Sequence, residues 1–179
     1  MKILEKKWMS LMKKLSLILN SFFLFFFISI ANTDDLKFIS GSAIVIDGDT
    51  IKINGERIRF GGIDSPESNF FGKKQFCFLK DIEVLCGELS SKKLKKKIGN
   101  NFVNCLLEKK KDNYKRYLGE CFIHNESLSV YMVRNGYAFD YPKYSKGKFK
   151  EDQEFAEYYS LGLWNMKFEY PWIWRKKNR

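Results

Sequence analysis

Histidine is almost missing from this chain: His124 is the only one, and the four cysteines, Cys77, Cys86, Cys105 and Cys121, show no C-x-x-C spacing. A zinc site therefore has little support, and pairing is the better account of the thiols. No internal repeat, low-complexity linker or second domain interrupts the chain, which leaves one domain and an address. Acidic residues are in the minority, 21 against 32 lysines and arginines, for a formal net charge of +11. A field of that sign attracts polyanions without choosing a sequence.

The address comes first. Residues 1–14 carry Lys2, Lys6, Lys7, Lys13 and Lys14 against Glu5, and residues 15–31 are almost wholly apolar, ending with the small residues Ser29 and Ala31. This pattern reads as a signal peptide over residues 1–31, cut after Ala31, so the domain is exported, either secreted or periplasmic. An uncleaved anchor is the alternative, because the run approaches the length of a membrane span. After cleavage no stable membrane association is expected. The basic excess does not belong to the leader alone: Lys92, Lys93, Lys95, Lys96 and Lys97 crowd one predicted helix, and Lys109, Lys110 and Lys111 precede Arg116. The helical lysines form either a solvated face or a contact surface for a polyanion.

The densest chemistry lies between Val45 and Glu67. Ile44, Val45 and Ile46 form an apolar β-branched run, Asp47-Gly48-Asp49 is a turn signal, and Ile51 and Ile53 then alternate with polar residues. Asn54-Gly55 is a strong hairpin signal, after which Ile58, Phe60 and Gly62 take one face and Arg57, Arg59 and Gly61 the other. The third strand ends at Asp64-Ser65-Pro66-Glu67, where Pro66 has no N–H for a ladder and biases Ser65 toward extended backbone. Acids that suit a metal and cations that suit an anion thus share one meander. That is chemistry for a phosphodiester.

Asp-Gly-Asp-Thr, then Arg59 followed by apolar residues and Asp64-Ser65-Pro66-Glu67, resembles the signature of the staphylococcal nuclease family. The resemblance covers residues 36–179, which form the single domain. Asp112-Asn113-Tyr114-Lys115-Arg116 resembles the family's second motif, with Lys115 where glycine is frequent and Arg116 at the second phosphate-binding position. As an alternative, Arg116 is a surface loop charge. Leu128 to Gly136 is similar to the family's apolar helix, with Gly136 a natural residue just past its end. Phe149 to Leu163 and Pro171-Trp172-Ile173-Trp174-Arg175 resemble the last helix and closing segment of secreted bacterial members, their tryptophans read as packing residues.

Phe102 to Lys109 and Leu118 to Ile123 look like strands joined by a charged loop. Four cysteines permit three pairings, and a symmetric hairpin centred on Asn113 favours the one that sets Cys105 opposite Cys121, close enough to bridge, with Cys77 to Cys86 closing the loop after the acidic corner. Five short strands with a helix between the third and fourth predict an α+β domain. With the resemblance, this becomes a five-stranded OB-fold Greek-key β-barrel with about three α-helices.

The resemblance implies a Ca²⁺-dependent nuclease that hydrolyses DNA and RNA with little sequence preference and leaves 3′-phosphates. Its metal ligands are Asp49, Asp64 and the Ser65 backbone, with Asp47 adding charge from behind. Arg59 and Arg116 grip the phosphate, and Glu67 orients or deprotonates the attacking water. Tyr141 and Tyr144 resemble tyrosines that flank the nucleotide, which suits single-stranded DNA and RNA, unless they are packing or surface aromatics. Lys115, next to Arg116, is expected to join them in binding substrate. The contrasting class is a catalytically inactive nucleic-acid-binding module on the same fold, and against it all five of Asp49, Asp64, Glu67, Arg59 and Arg116 are present. Gly61-Gly62 departs from the family pattern and is expected to loosen the register that links Arg59 to Asp64.

Overall fold

The computed structural model describes residues 37–179. The expected leader, residues 1–31, lies outside the described residues. Among the described residues, no helix is long and apolar enough to cross a membrane.

Strand β1 (Lys37–Asp47) turns at Gly48 into β2 (Thr50–Ile53), and Asn54-Gly55 turns β2 into β3 (Glu56–Phe60). Both are antiparallel pairings, with Val45 opposite Ile51 and Thr50 opposite Arg59. After β4 (Ile63–Asp64) come β5 (Phe76–Leu79) and β6 (Ile82–Leu85), then helix α1 (Cys86–Ile98). Strands β7 (Phe102–Lys111) and β8 (Tyr117–Ile123) complete the barrel: β7 pairs with β1, and β8 closes on β3 in parallel. The result is a closed five-stranded mixed barrel. Alternation drives the closure, because Ile51, Ile53, Ile58, Phe60, Val103, Cys105, Leu107 and Cys121 all point inward and are fully buried.

The β7–β8 hairpin has the expected register from Asn104 to Leu107, and an irregularity then shifts it so that Lys111 pairs with Tyr117. Cys105 is the direct partner of Cys121, and the two form a disulfide. Cys77 and Cys86 form the other, joining β5 to the first residue of α1. The segment after the acidic corner, expected as a loop, contains the β5–β6 hairpin, turned by Lys80 at φ 55°.

Strand β9 (Glu126–Ser127) leads into α2 (Leu128–Arg134), whose first turn is capped by the Ser127 hydroxyl accepting from the Val130 N–H at 3.2 Å. Then follow β10 (Phe139–Asp140), α3 (Pro142–Ser145), α4 (Lys150–Tyr158), a 3₁₀ turn at Gly162–Asn165 and α5 (Pro171–Lys177). Five α-helices thus stand among the described residues where about three were expected. The extra ones, α3 and α5, are short and open at Pro142 and Pro171, whose fixed φ suits a first helical position.

A second cluster, separate from the barrel core, gathers Cys77, Cys86, Phe139 and Leu163 with Trp164, Phe168, Tyr170 and Trp172 around them. It fastens the C-terminal segment to β5 and α1. Backbone N–H groups of Phe78 and Lys167 each donate to the other's carbonyl at 2.9 Å, extending that attachment.

Candidate active site

The Asp47-Gly48-Asp49 turn and the Asp64–Glu67 corner meet at one end of the barrel. Because Thr50 pairs with Arg59, Asp49 lies beside the Arg59 guanidinium: Nη1 donates to Asp49 Oδ1 at 2.8 Å and Nη2 to Asp64 Oδ1 at 2.6 Å. One arginine therefore clamps two buried carboxylates. Asp49 is further fixed by Thr50 Oγ1 at 2.8 Å and by the Ser65 backbone N–H, which donates to Asp49 Oδ2 at 3.0 Å. Asp47 sits behind them, its Oδ1 accepting from the Gly48 N–H and the Ser68 hydroxyl, both at 2.9 Å.

Two glycines shape this corner. Gly62 has φ +81° and turns β3 toward β4, while its carbonyl accepts from the Tyr141 N–H at 2.9 Å and the Gly61 N–H donates to Gly119 at 3.0 Å. The expected loosening between Arg59 and Asp64 is not found, because both glycines are tied to neighbouring backbone. Gly87, in the first turn of α1, admits the corner itself: a Cβ there would lie 2.2 Å from the Glu67 carbonyl.

Electrostatics follow from the burial. Burial, then the charges of Asp49 and Glu67, push the Asp47 carboxyl up to about 7. Burial also raises Asp64 against the lowering pull of Arg59, and it raises Glu67 against a hydrogen bond from Arg175. For Arg59, burial alone would lower the guanidinium, but Asp49 and Asp64 reverse this and hold it protonated.

Arg175 is the residue that sequence reading missed. It projects from α5 so that Nη2 donates to Asp64 Oδ2 at 2.6 Å and Nη1 to Glu67 Oε1 at 2.5 Å. Its signal was confined to a proline that opens a helix before two tryptophans and an arginine; nothing local pointed to Asp64.

Arg116 is held elsewhere. Its Nε and Nη2 donate to Asp112 Oδ2 at 2.9 and 2.8 Å, and its own N–H donates to Asp112 Oδ1 at 2.9 Å. It stands immediately before β8, whose Leu118 is the partner of Arg59 across β3 and β8. Lys115 adopts φ 60°, the left-handed conformation that explains the frequent glycine at that position. Tyr141 stacks on Trp172 with centroids 4.8 Å apart and planes 7° from parallel, whereas Tyr144 is exposed. The lysines of α1 divide, Lys92, Lys95 and Lys96 being exposed while Lys93 lies over Tyr131 and Tyr137.

Residues 57–166 match the family described as Staphylococcal nuclease homologue. The chain belongs to the staphylococcal nuclease homologue family. Among curated relatives of this nuclease-family chain, Succinoglycan biosynthesis protein ExoI of Rhizobium meliloti is 29% identical over 134 residues, covering 74% of this chain and 68% of its own length. Staphylococcal-like nuclease CAN1 of Arabidopsis thaliana is 32% identical over 127 residues, 69% of this chain but 34% of that protein. An uncharacterized endonuclease of Haemophilus influenzae is 28% identical over 144 residues, 75% of this chain and 71% of its own length. The chain thus spans about a third of the plant relative's length.

The family is generally metal-dependent. Among the described residues, no three His, Cys, Asp or Glu side chains converge into a ready metal cage. The chemistry nevertheless fits a hard cation, since Asp49 and Asp64 offer buried carboxylate oxygens on either side of one guanidinium, with Asp47 close behind.

Proposed function

We propose that the protein is an exported, calcium-dependent nuclease that cleaves single-stranded DNA and RNA with little sequence preference. Family membership makes it a hydrolase of phosphodiester bonds; the metal, the substrate form and the export are this reading's own additions. The observation that carries it is the clamp of Arg59 on Asp49 and Asp64, which joins the Asp47–Asp49 turn to the Asp64–Glu67 corner at one end of the barrel.

Asp49, Asp64 and the Ser65 carbonyl would hold the cation, with Asp47 adding charge from behind. Bound there, Ca²⁺ would supply Lewis-acid polarisation of a phosphodiester oxygen. Arg59 and Arg116 bind the phosphate, exchanging their present carboxylate partners for its oxygens, and their forked donors stabilise the added charge as water attacks phosphorus. Glu67 orients that water and accepts its proton. The bond to the 5′-oxygen breaks, and that oxygen takes a proton from solvent, leaving a 3′-phosphate and a 5′-hydroxyl. Tyr144 offers an exposed ring on which any base can stack, and Lys115 lies on the loop that carries Arg116.

The test incubates the protein with single-stranded DNA and with RNA, in Ca²⁺ or in chelator, beside Glu67→Gln and Arg59→Ala. Calcium-dependent cleavage that falls by orders of magnitude in both variants supports the reading. Absence of cleavage across metals and substrates, with DNA still bound, overturns it in favour of a binding module.

A further inference from the structure

Arg175 has a built mount. Its helix is held at Trp172, which stacks on Tyr141 and on Tyr170 at centroid distances of 4.8 and 4.6 Å. Trp174 meets Phe70 edge-on at 6.1 Å, and Lys73 Nζ donates to the Asn178 carbonyl at 3.0 Å. Just before the helix, Gln75 Nε2 donates to the Glu169 carbonyl at 2.7 Å. Side chains from the acidic-corner loop and from α3's entry thus fix where the guanidinium stands.

What Arg175 covers there is Asp64. That carboxylate has no exposed surface, while Arg59 and Arg175 keep 17% and 18% of theirs. Each Asp64 oxygen already accepts a guanidinium N–H, Oδ1 from both arginines and Oδ2 from Arg175. Both Asp64 oxygens are thus engaged by guanidinium groups, and a divalent cation on the same carboxylate adds positive charge that repels them in a shielded site.

We propose that Arg175 is a positioning residue of the metal site: it holds Asp64 and Glu67 in the metal-free protein and yields Asp64 to a divalent cation. The C-terminal helix thereby sets metal affinity. This rests on the reading that Asp49 and Asp64 hold such a cation. Since the two occupants oppose each other at one carboxylate, removing the guanidinium must strengthen the metal, and adding the metal must release the guanidinium.

Calorimetric Ca²⁺ titration of the full chain tests this in the wild type, Arg175→Gln, Arg175→Lys and Asp64→Asn. Arg175→Gln should bind Ca²⁺ about tenfold more tightly, and Arg175→Lys, which keeps the charge, should stay within about threefold of wild type. A merely structural arginine predicts the opposite, weaker binding from a loosened site. In wild-type protein, the ¹⁵Nε resonance of Arg175 should shift on adding Ca²⁺; this readout stands even where Arg175→Gln fails to fold. Equal or weaker binding by folded Arg175→Gln, or an unmoved Arg175 resonance with Ca²⁺ bound, overturns the proposal. If Asp64→Asn then still abolishes binding, the metal reading survives alone. No binding by either wild type or Arg175→Gln removes both.

Discussion

Arg175 and Asp64 stand 111 residues apart in the chain, yet the Arg175 Nη2 donates to Asp64 Oδ2 at 2.6 Å. The closing helix is therefore part of the candidate site, and Asp64 shares its charge between an arginine of the barrel and an arginine of the C-terminus. Removing either partner leaves a buried carboxylate short of a donor, which is more costly than never having built the pair.

Arg59 is the more central of the two because it serves Asp49 as well. Arg59→Ala is expected to lower the stability of the metal-free protein by about 3 kcal/mol, the usual cost of breaking a buried pair on one side. Urea unfolding in chelator measures it. The same variant with saturating Ca²⁺ should recover part of the loss, since a bound ion compensates the same acids.

Stability should also depend on pH through Asp47. Its carboxyl rises on folding from an ordinary value of 3.8 to about 7, so the folded chain holds that proton more tightly than the unfolded chain does. The contribution is complete below the unfolded value and is lost as pH rises through about 7. Asp64 and Glu67, also raised by burial, act in the same direction. Asp47→Asn should therefore raise the melting temperature of the metal-free protein at pH 8 and change it little at pH 4, as followed by circular dichroism.

Lys115 occupies a left-handed backbone conformation, at φ 60°, in the turn that Asp112 caps. Glycine adopts that conformation without the Cβ penalty, so Lys115→Gly should stabilise the protein by about 1 kcal/mol. Denaturant unfolding reports it. If Lys115 contacts substrate, affinity for single-stranded DNA will fall while stability rises.

Gly87→Ala probes the packing of α1 on the acidic corner. Its Cβ would lie 2.2 Å from the Glu67 carbonyl, so either the helix or the corner must move. A stability loss of about 2 kcal/mol is expected, together with a drop in cleavage that exceeds the loss of folded protein. Thermal unfolding and single-turnover cleavage, run side by side, separate the two effects.

By itself the sequence determined the barrel's local pieces and most of the acidic site. Ile51, Ile53, Ile58 and Phe60 alternate with polar residues, and turn residues at Gly48 and Asn54-Gly55 set where strands reverse, so Asp49 meets Arg59 through short-range geometry alone, while Asp64 is also held by its pairing with Phe139 of β10. The Cys105–Cys121 pairing followed from the symmetry of one hairpin for the same reason. Tertiary structure decided what no local period encodes. The parallel closure of β8 on β3, the second aromatic cluster, the stacking of Trp172 on Tyr141 and the entry of Arg175 all join distant segments by packing. Trp172 reads as a packing residue and is one, whereas Arg175 carries no local signal of its partner, because burial and partner choice belong to the assembled fold, where its guanidinium meets the buried Asp64.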